Sequence, residues 1–259
     1  MDSFRFDIIE PDTLNLKIQT FKRETHPVFF NFYSADVNSK YEIADSKYTI
    51  LVRKKEQDFY RLYVCSNSGE DLVQKLNNLG YEKYVINIPS KKGISEWECI
   101  LAQTGFKFYA KYDRYYNTNI KKMPSRERVL ATIDDVDSIN CLLQKSLDTV
   151  FSKYTDNIPS KEIIAKMTNN QQIFVNKVES EILGVNIFTI EGKKCYLNLW
   201  YDVSGEGILL LFDVYNMMAE RNIKYAYFWV NSSNKNVEKI HRRLGAKPDG
   251  ISDYTFIKN

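Results

Sequence analysis

The sequence predicts an α/β (α+β) fold of two units, each a mixed, mostly antiparallel sheet flanked by helices. Three observations carry that prediction. Residues 173–178, 182–190 and 194–201 alternate as strands do, and the turns Glu179-Ser180-Glu181 and Glu191-Gly192-Lys193 separate them. Two stretches end alike. An apolar strand (84–89), a helical segment, Thr104-Gly105-Phe106 and an aromatic strand (107–116) are echoed by a strand (225–230), a helical segment, Leu244-Gly245-Ala246 and a strand (254–257). Between the copies lies the polar, aperiodic stretch 117–126 with Pro124, a natural linker. The expected domains are therefore 1–123 and 124–259.

In chain order, the first forty or so residues show no clear period except 27–33, which read as a strand. Residues 48–53 and 59–65 form a hairpin around residues 55–58, and Ser66-Asn67-Ser68-Gly69 opens a helix over 70–79. In the second half, 128–132 suit a first strand. Asp134 and Asp135 cap a helix running to about 148, with Val136, Ile139, Leu142 and Leu143 at helical spacing. Pro159-Ser160 starts another, bearing Ile163, Ile164 and Met167. The helix 207–220 is apolar almost all round, which calls for cover on its outer side by the first half or by another subunit. The last helix is capped by Ser232 or Ser233, buries Val237, Ile240 and Leu244, and stops at Gly245.

Composition excludes several classes. At 259 residues, 44% hydrophobic and 14% aromatic, the chain has material for a packed core. The longest apolar run, 208–212, is far short of a membrane span, and no apolar stretch of signal-peptide length opens the sequence, so a cytoplasmic protein without membrane partners is expected. The net charge of +3 and scattered basic pairs argue against a nucleic-acid partner. Cys65, Cys99, Cys141 and Cys195 form no C-x-x-C pair and read as reduced, buried residues; His26 and His241 give no metal-binding spacing, so no metal is expected.

The most specific pattern lies near the C-terminus. A strand delivers Asp202-Val203-Ser204-Gly205-Glu206-Gly207, then the apolar helix, a second strand, Asn231-Ser232-Ser233-Asn234, a polar helix and Leu244-Gly245-Ala246. This order resembles the GCN5-related N-acetyltransferase (GNAT) family, most strongly over residues 129–259. The resemblance implies a tandem GNAT-fold chain with a degenerate N-terminal half, an acyl-CoA-dependent N-acyltransferase taking acetyl-CoA or another acyl-CoA and a small amine or peptide acceptor, as monomer or homodimer. In the family a loop Arg/Gln-x-x-Gly-x-Gly/Ala wraps the CoA pyrophosphate against a helix N-terminus. Carried over, that assigns cofactor contacts to Tyr201, Val203, Ser204, Gly205, Glu206, Gly207 and Ile208. Asn231 and Asn234 fall beside the pantetheine arm, which lies in a slot between splayed strands. His241 stands where the family has a tyrosine that protonates the leaving thiolate. Asp202 replaces the basic or amide residue, and Glu206 adds a second negative charge.

Each feature also has a plainer reading. Asp202, Ser204 and Glu206 suit a helix cap, His241 suits a packed helix edge, and the alternation of Tyr225, Tyr227 and Trp229 suits an amphipathic core sheet. The alternatives are thus a catalytic acyltransferase and a catalytically silent GNAT-fold module that binds a metabolite or protein. A tRNA-dependent transferase of similar tandem fold would want a basic channel that the near-neutral charge does not supply.

Overall fold

The computed structural model describes residues 5–124, 127–147 and 149–259. Residues 1–4, Ser125, Arg126 and Asp148 lie outside the described residues, so the end of the expected linker and the last residue of the helix starting at Asp134 are not placed. The elements run β1 (Asp7–Ile9), α1 (Pro11–Thr25), β2 (Phe29–Phe30), β3 (Tyr41–Asp45), β4 (Thr49–Lys55), β5 (Tyr60–Ser66), α2 (Gly69–Asn77), β6 (Tyr84–Ser90), α3 (Ser95–Gln103) and β7 (Lys107–Asn117). They continue with α4 (Val136–Ser146), α5 (Lys161–Asn169), β8 (Ile173–Val178), β9 (Glu181–Glu191), β10 (Lys194–Asp202), α6 (Gly207–Glu220), β11 (Tyr225–Asn231), α7 (Lys235–Arg243) and β12 (Lys247–Lys258). Among the described residues no helix is long and apolar enough to cross a membrane.

Two compact units result, and their composition differs from the division at 123/124. One comprises Met1–Lys111 with Ile251–Asn259; the other is Tyr112–Gly250. The reason is an exchange of final strands. In the first unit β12 runs antiparallel to β6, from Ser252 opposite Ser90 to Lys258 opposite Tyr84. In the second, β7 runs antiparallel to β11, from Asn117 opposite Ala226 to Tyr112 opposite Asn231. Each half of the sequence therefore completes the sheet of the other. The first unit's sheet is ordered β1-β3-β4-β5-β6-β12 with β2 on β5, and the second unit's is β7-β11-β10-β9-β8. Each sheet has one parallel pair among the registers described: β5 with β6, and β10 with β11.

The meander β8-β9-β10 and the hairpin β4-β5 form where alternation placed them. Residues 128–132 do not form a strand: Leu130 makes one bridge to Phe174, with amide bonds from Ala131 to Ile173 and from Val175 to Val129. Thr132 and Asp135 build a capping box ahead of α4, and Ser160 caps α5. Of the expected strand 27–33 only Phe29–Phe30 pairs. Cys65 and Cys195 are buried, and burial pushes both thiols up to about 12, whereas Cys99 and Cys141 are exposed on helices.

The cover of α6 comes from its own unit. Ile120, Met123 and Leu130 pack against the cluster that holds Leu210, Leu211, Val214 and Met218. The Met123 amide donates to Asn216 Oδ1 at 2.7 Å, and Asn117 Nδ2 donates to the Tyr215 hydroxyl at 2.9 Å. The stretch read as a linker is thus a strap over the most apolar helix. A fragment spanning 124–259 loses the β7 strand, most of this strap and the partner of β12. It should run as dimers or aggregates in size-exclusion chromatography with light scattering; a stable monomer would contradict the exchanged arrangement.

Candidate active site

Strands β10 and β11 pair in parallel over three positions only, Lys194 with Tyr225, Cys195 with Ala226 and Tyr196 with Tyr227. Beyond them the strands diverge. A bulge in β10 sets Asn198 outside the ladder, because Leu197 faces Phe188 and Leu199 faces the adjacent Ile187. The divergence opens a cleft of about 690 Å³ within the second unit, lined by residues 197–202 of β10 and 228–231 of β11. Gly205, Gly207 and Ile208 close one end; Val237, Ile240 and His241 of α7 line one wall, and Tyr112, Phe151 and Asp156 another.

The loop from Asp202 to Gly207 is held from inside. Asp202 Oδ1 accepts from Asn176 Nδ2 at 3.1 Å, and both its oxygens accept from the Ser204 hydroxyl. Ser204 also receives Asn176 Nδ2 and the Glu206 amide. The Asp202 carboxylate lies where a side chain at position 184 would sit: a Cβ on Gly184 would come within 3.0 Å of Asp202 Cβ. Asp202 is a brace of the loop, not a phosphate ligand that has been replaced. Gly205 has φ +87°, a left-handed conformation that favours glycine. Trp200 Nε1 donates to the Gly207 carbonyl at 2.8 Å, and a Cβ on Gly207 would lie 3.2 Å from that nitrogen. Helix α6 begins at Gly207 with no side-chain cap, so Asp202, Ser204 and Glu206 do not serve as one, and the positive end of a 14-residue helix faces the cleft end.

Of the ten candidate site residues, seven line the cleft: Tyr201, Gly205, Gly207, Ile208, Asn231, Asn234 and His241. Val203, Ser204 and Glu206 do not; Val203 is exposed and pairs its amide with the Leu183 carbonyl. Asn234, not Ser232 or Ser233, caps α7, its Oδ1 accepting from the Val237 amide. Asn231 Oδ1 accepts from the Ser233 amide and hydroxyl, and Ser232 donates to Asp113.

His241 is 4% exposed, stacked on Phe228 with ring centroids 3.9 Å apart and edge-on to Trp200 at 5.9 Å. Its Nδ1 is buried without a hydrogen-bond partner among the described residues. Burial pushes its pKa down to about 4, so the ring is neutral at pH 7. The place where the resemblance puts a proton donor to the leaving thiolate thus holds an imidazole kept neutral in an apolar stack. Sequence reasoning missed Tyr112 and Asp156. The Tyr112 hydroxyl donates to both Asp156 oxygens at 3.1 Å; burial and then the Asp156 charge raise its pKa to about 12, which keeps that proton on the phenol. The two lie 44 residues apart, and only the loop after α4 brings them together.

The first unit contains the same divergence, filled. Strands β5 and β6 pair at Tyr60, Arg61 and Leu62 and then part. Asn31 occupies the gap: its Nδ2 donates to the Leu62 and Asn87 carbonyls at 3.2 and 2.9 Å, and its Oδ1 accepts from the Val64 amide at 2.6 Å. The Ser68 side chain caps α2 as well. Leu101, at the place of His241, is fully buried and carries no proton.

No model of a protein family matches the chain, and no curated protein matches it in sequence. Solved structures do. A GCN5-related N-acetyltransferase from Sphaerobacter thermophilus superposes with a TM-score of 0.61 at 11% identity, over 86% of this chain and 82% of that one. A GNAT-family acetyltransferase from Colwellia psychrerythraea gives 0.58 at 11% identity over 98% and 99%. A tandem GNAT protein from the clavulanic acid biosynthesis pathway gives 0.54 at 8% identity over 93% and 86%. The chain has the GNAT acetyltransferase fold in tandem form, a likeness that rests on structure alone.

The His241 environment has a measurable consequence. The unfolded imidazole takes a proton near 6.5 whereas the folded one resists until about 4, so the unfolded state binds more protons between those values. Stability should therefore fall as pH drops from 6.5 to 4, by about 2 kcal/mol at pH 5 from this group. Denaturant titrations of the parent and of His241→Phe at pH 7 and pH 5 should show the parent losing that much more; equal losses would mean the ring is not buried neutral.

Proposed function

We propose that the C-terminal unit binds acetyl-CoA or another acyl-CoA and transfers the acyl group to a primary amine within a ternary complex. The observation that carries this reading is the divergence of β10 from β11 into a cleft whose end is an uncapped helix N-terminus behind a Gly-x-Gly turn. A pantetheine arm would add to the strand edges as an extra strand does, bonding to backbone amides. The diphosphate would lie over Gly205, Gly207 and Ile208, where backbone N–H groups and the helix dipole favour an anion. Because Asp202 is turned inward to Asn176 and Ser204, its charge is tied up by donors rather than aimed at the phosphates.

In the reaction the neutral amine nitrogen attacks the thioester carbonyl. The N–C bond forms, the carbonyl oxygen gains charge beside the β10 bulge at Asn198, and the C–S bond breaks as the carbonyl re-forms. The proton lost by the nitrogen ends on the departing sulfur, carried by water or through the His241 ring, which as a neutral imidazole serves as a hydrogen-bond partner of the sulfur and not as an imidazolium acid. The acyl-CoA is a substrate; no metal enters the scheme. One observation favours a second reading, a silent binding module: a histidine neutral down to pH 4 supplies less acid than the family's arrangement.

Calorimetric titration with acetyl-CoA should give one site per chain, because Asn31 fills the first unit's gap. Gly205→Asp, which puts a charge and a Cβ on a left-handed residue, should weaken binding about a hundredfold or more. Unchanged affinity in that variant would remove the loop from the site, and binding without any acyl transfer to amines would favour the silent module.

A further inference from the structure

The wall of the cleft opposite α7 carries features that acyl-CoA binding does not use. Asp156 faces the cleft, and its donors are the Tyr112 hydroxyl at 3.1 Å, the Thr155 hydroxyl at 3.1 Å and the Ser152 amide at 2.8 Å. All three are neutral. Among the described residues the Asp156 carboxylate has no cationic partner, although it is held in place from three sides. A fixed carboxylate in a partly desolvated cleft, with its charge unanswered, is built to receive a cation.

The neighbouring surface is aromatic. Strand alternation puts Tyr225, Tyr227, Trp229 and Asn231 on one face of β11, and the partner face buries Ala226, Phe228 and Val230. Trp229 lines the cleft and is 44% exposed. Its pair across the ladder is Arg114, and the next same-face pair is Asn231 with Tyr112, the residue that holds Asp156. Two residues along a strand span roughly 7 Å, so the indole lies about that far along the face from the Tyr112–Asp156 pair. Arg114 is already bound to Asp249 at 2.6 Å and lies over both the Tyr227 and Trp229 rings.

We propose that this wall is the acceptor subsite of the acyl transfer, and that it selects a primary ammonium carried a few bonds from a flat ring. Asp156 takes the ammonium, which becomes the neutral nucleophile by giving one proton to water before attack, the second going to the departing sulfur; Tyr112 and Thr155 orient the carboxylate, and the Trp229 indole supports the ring. The inference rests on the acyltransferase reading but is tested apart from it, by binding of the acceptor without donor. Tryptamine and its neutral isostere tryptophol are titrated into the full chain by calorimetry, and acetyl-CoA is titrated separately. Tryptamine should bind at least about tenfold more tightly than tryptophol. Asp156→Asn, the isosteric neutral replacement, should erase that ratio while leaving acetyl-CoA affinity within about twofold, and Trp229→Ala should weaken both ring ligands about fivefold or more. Equal affinities of the two ligands for the parent protein overturn the proposal whether or not the variants fold, as does the absence of saturable tryptamine binding. If tryptamine binds with the expected Asp156 dependence but acetyl-CoA does not bind, the amine seat stands and the acyltransferase reading falls. If acetyl-CoA binds and the two ring ligands do not differ, the reverse holds.

Discussion

The second unit depends on two parallel strands that stop pairing after three residues. A parallel pair this short costs little ladder hydrogen bonding, but past Tyr196 and Tyr227 it leaves two strand edges with unpaired backbone groups. Those edges have to be satisfied. In the first unit the chain does so with Asn31, whose side-chain amide has the donor and acceptor to bridge Leu62, Val64 and Asn87. In the second unit no segment among the described residues enters the gap, and α6, α7 and the loop after α4 line it instead. The same constraint, solved from within in one copy and left for a ligand in the other, accounts for why one half of the chain carries a cleft.

What keeps the open gap from collapsing is cover on its flanks. The exchange of β7 for β12 gives β11 a full antiparallel partner from Tyr112 to Asn117, so the divergent strand is anchored on its far side. The same β7 supplies Asn117 to Tyr215, and the strap that follows buries the outer side of α6. The helix that presents its N-terminus to the cleft is therefore fixed along its length. Below it, the Asp202–Ser204–Asn176 bonds replace what a basic loop residue would contribute to loop shape, without contributing positive charge.

Local pattern revealed much of this. Strands β8, β9 and β10 alternate and are separated by turns of two or three residues, and α6 follows its glycine turn, so these elements were readable one segment at a time, and seven of the ten candidate residues line the cleft they form. Helix α1 carried Leu14, Ile18 and Phe21 at helical spacing behind Pro11, a signal obscured by the polar residues around them. The strand exchange left no local trace, because 107–116 and 254–257 both read as strands and only long-range pairing decides which sheet each joins. His241 read as a packed helix edge and is buried there, but its neutrality comes from Phe228 and Trp200 on other elements. The Tyr112–Asp156 pair was invisible for the same reason, since a hydrogen bond across 44 residues has no signature in sequence.

The measurement that tests the account most directly is a crystal structure of the full chain grown with CoA. The account predicts the pantetheine arm lying between residues 197–202 and 228–231, the diphosphate at Gly205 to Ile208, and the first unit's gap still filled by Asn31. CoA bound elsewhere on the chain, or between β5 and β6 with Asn31 displaced, would contradict it.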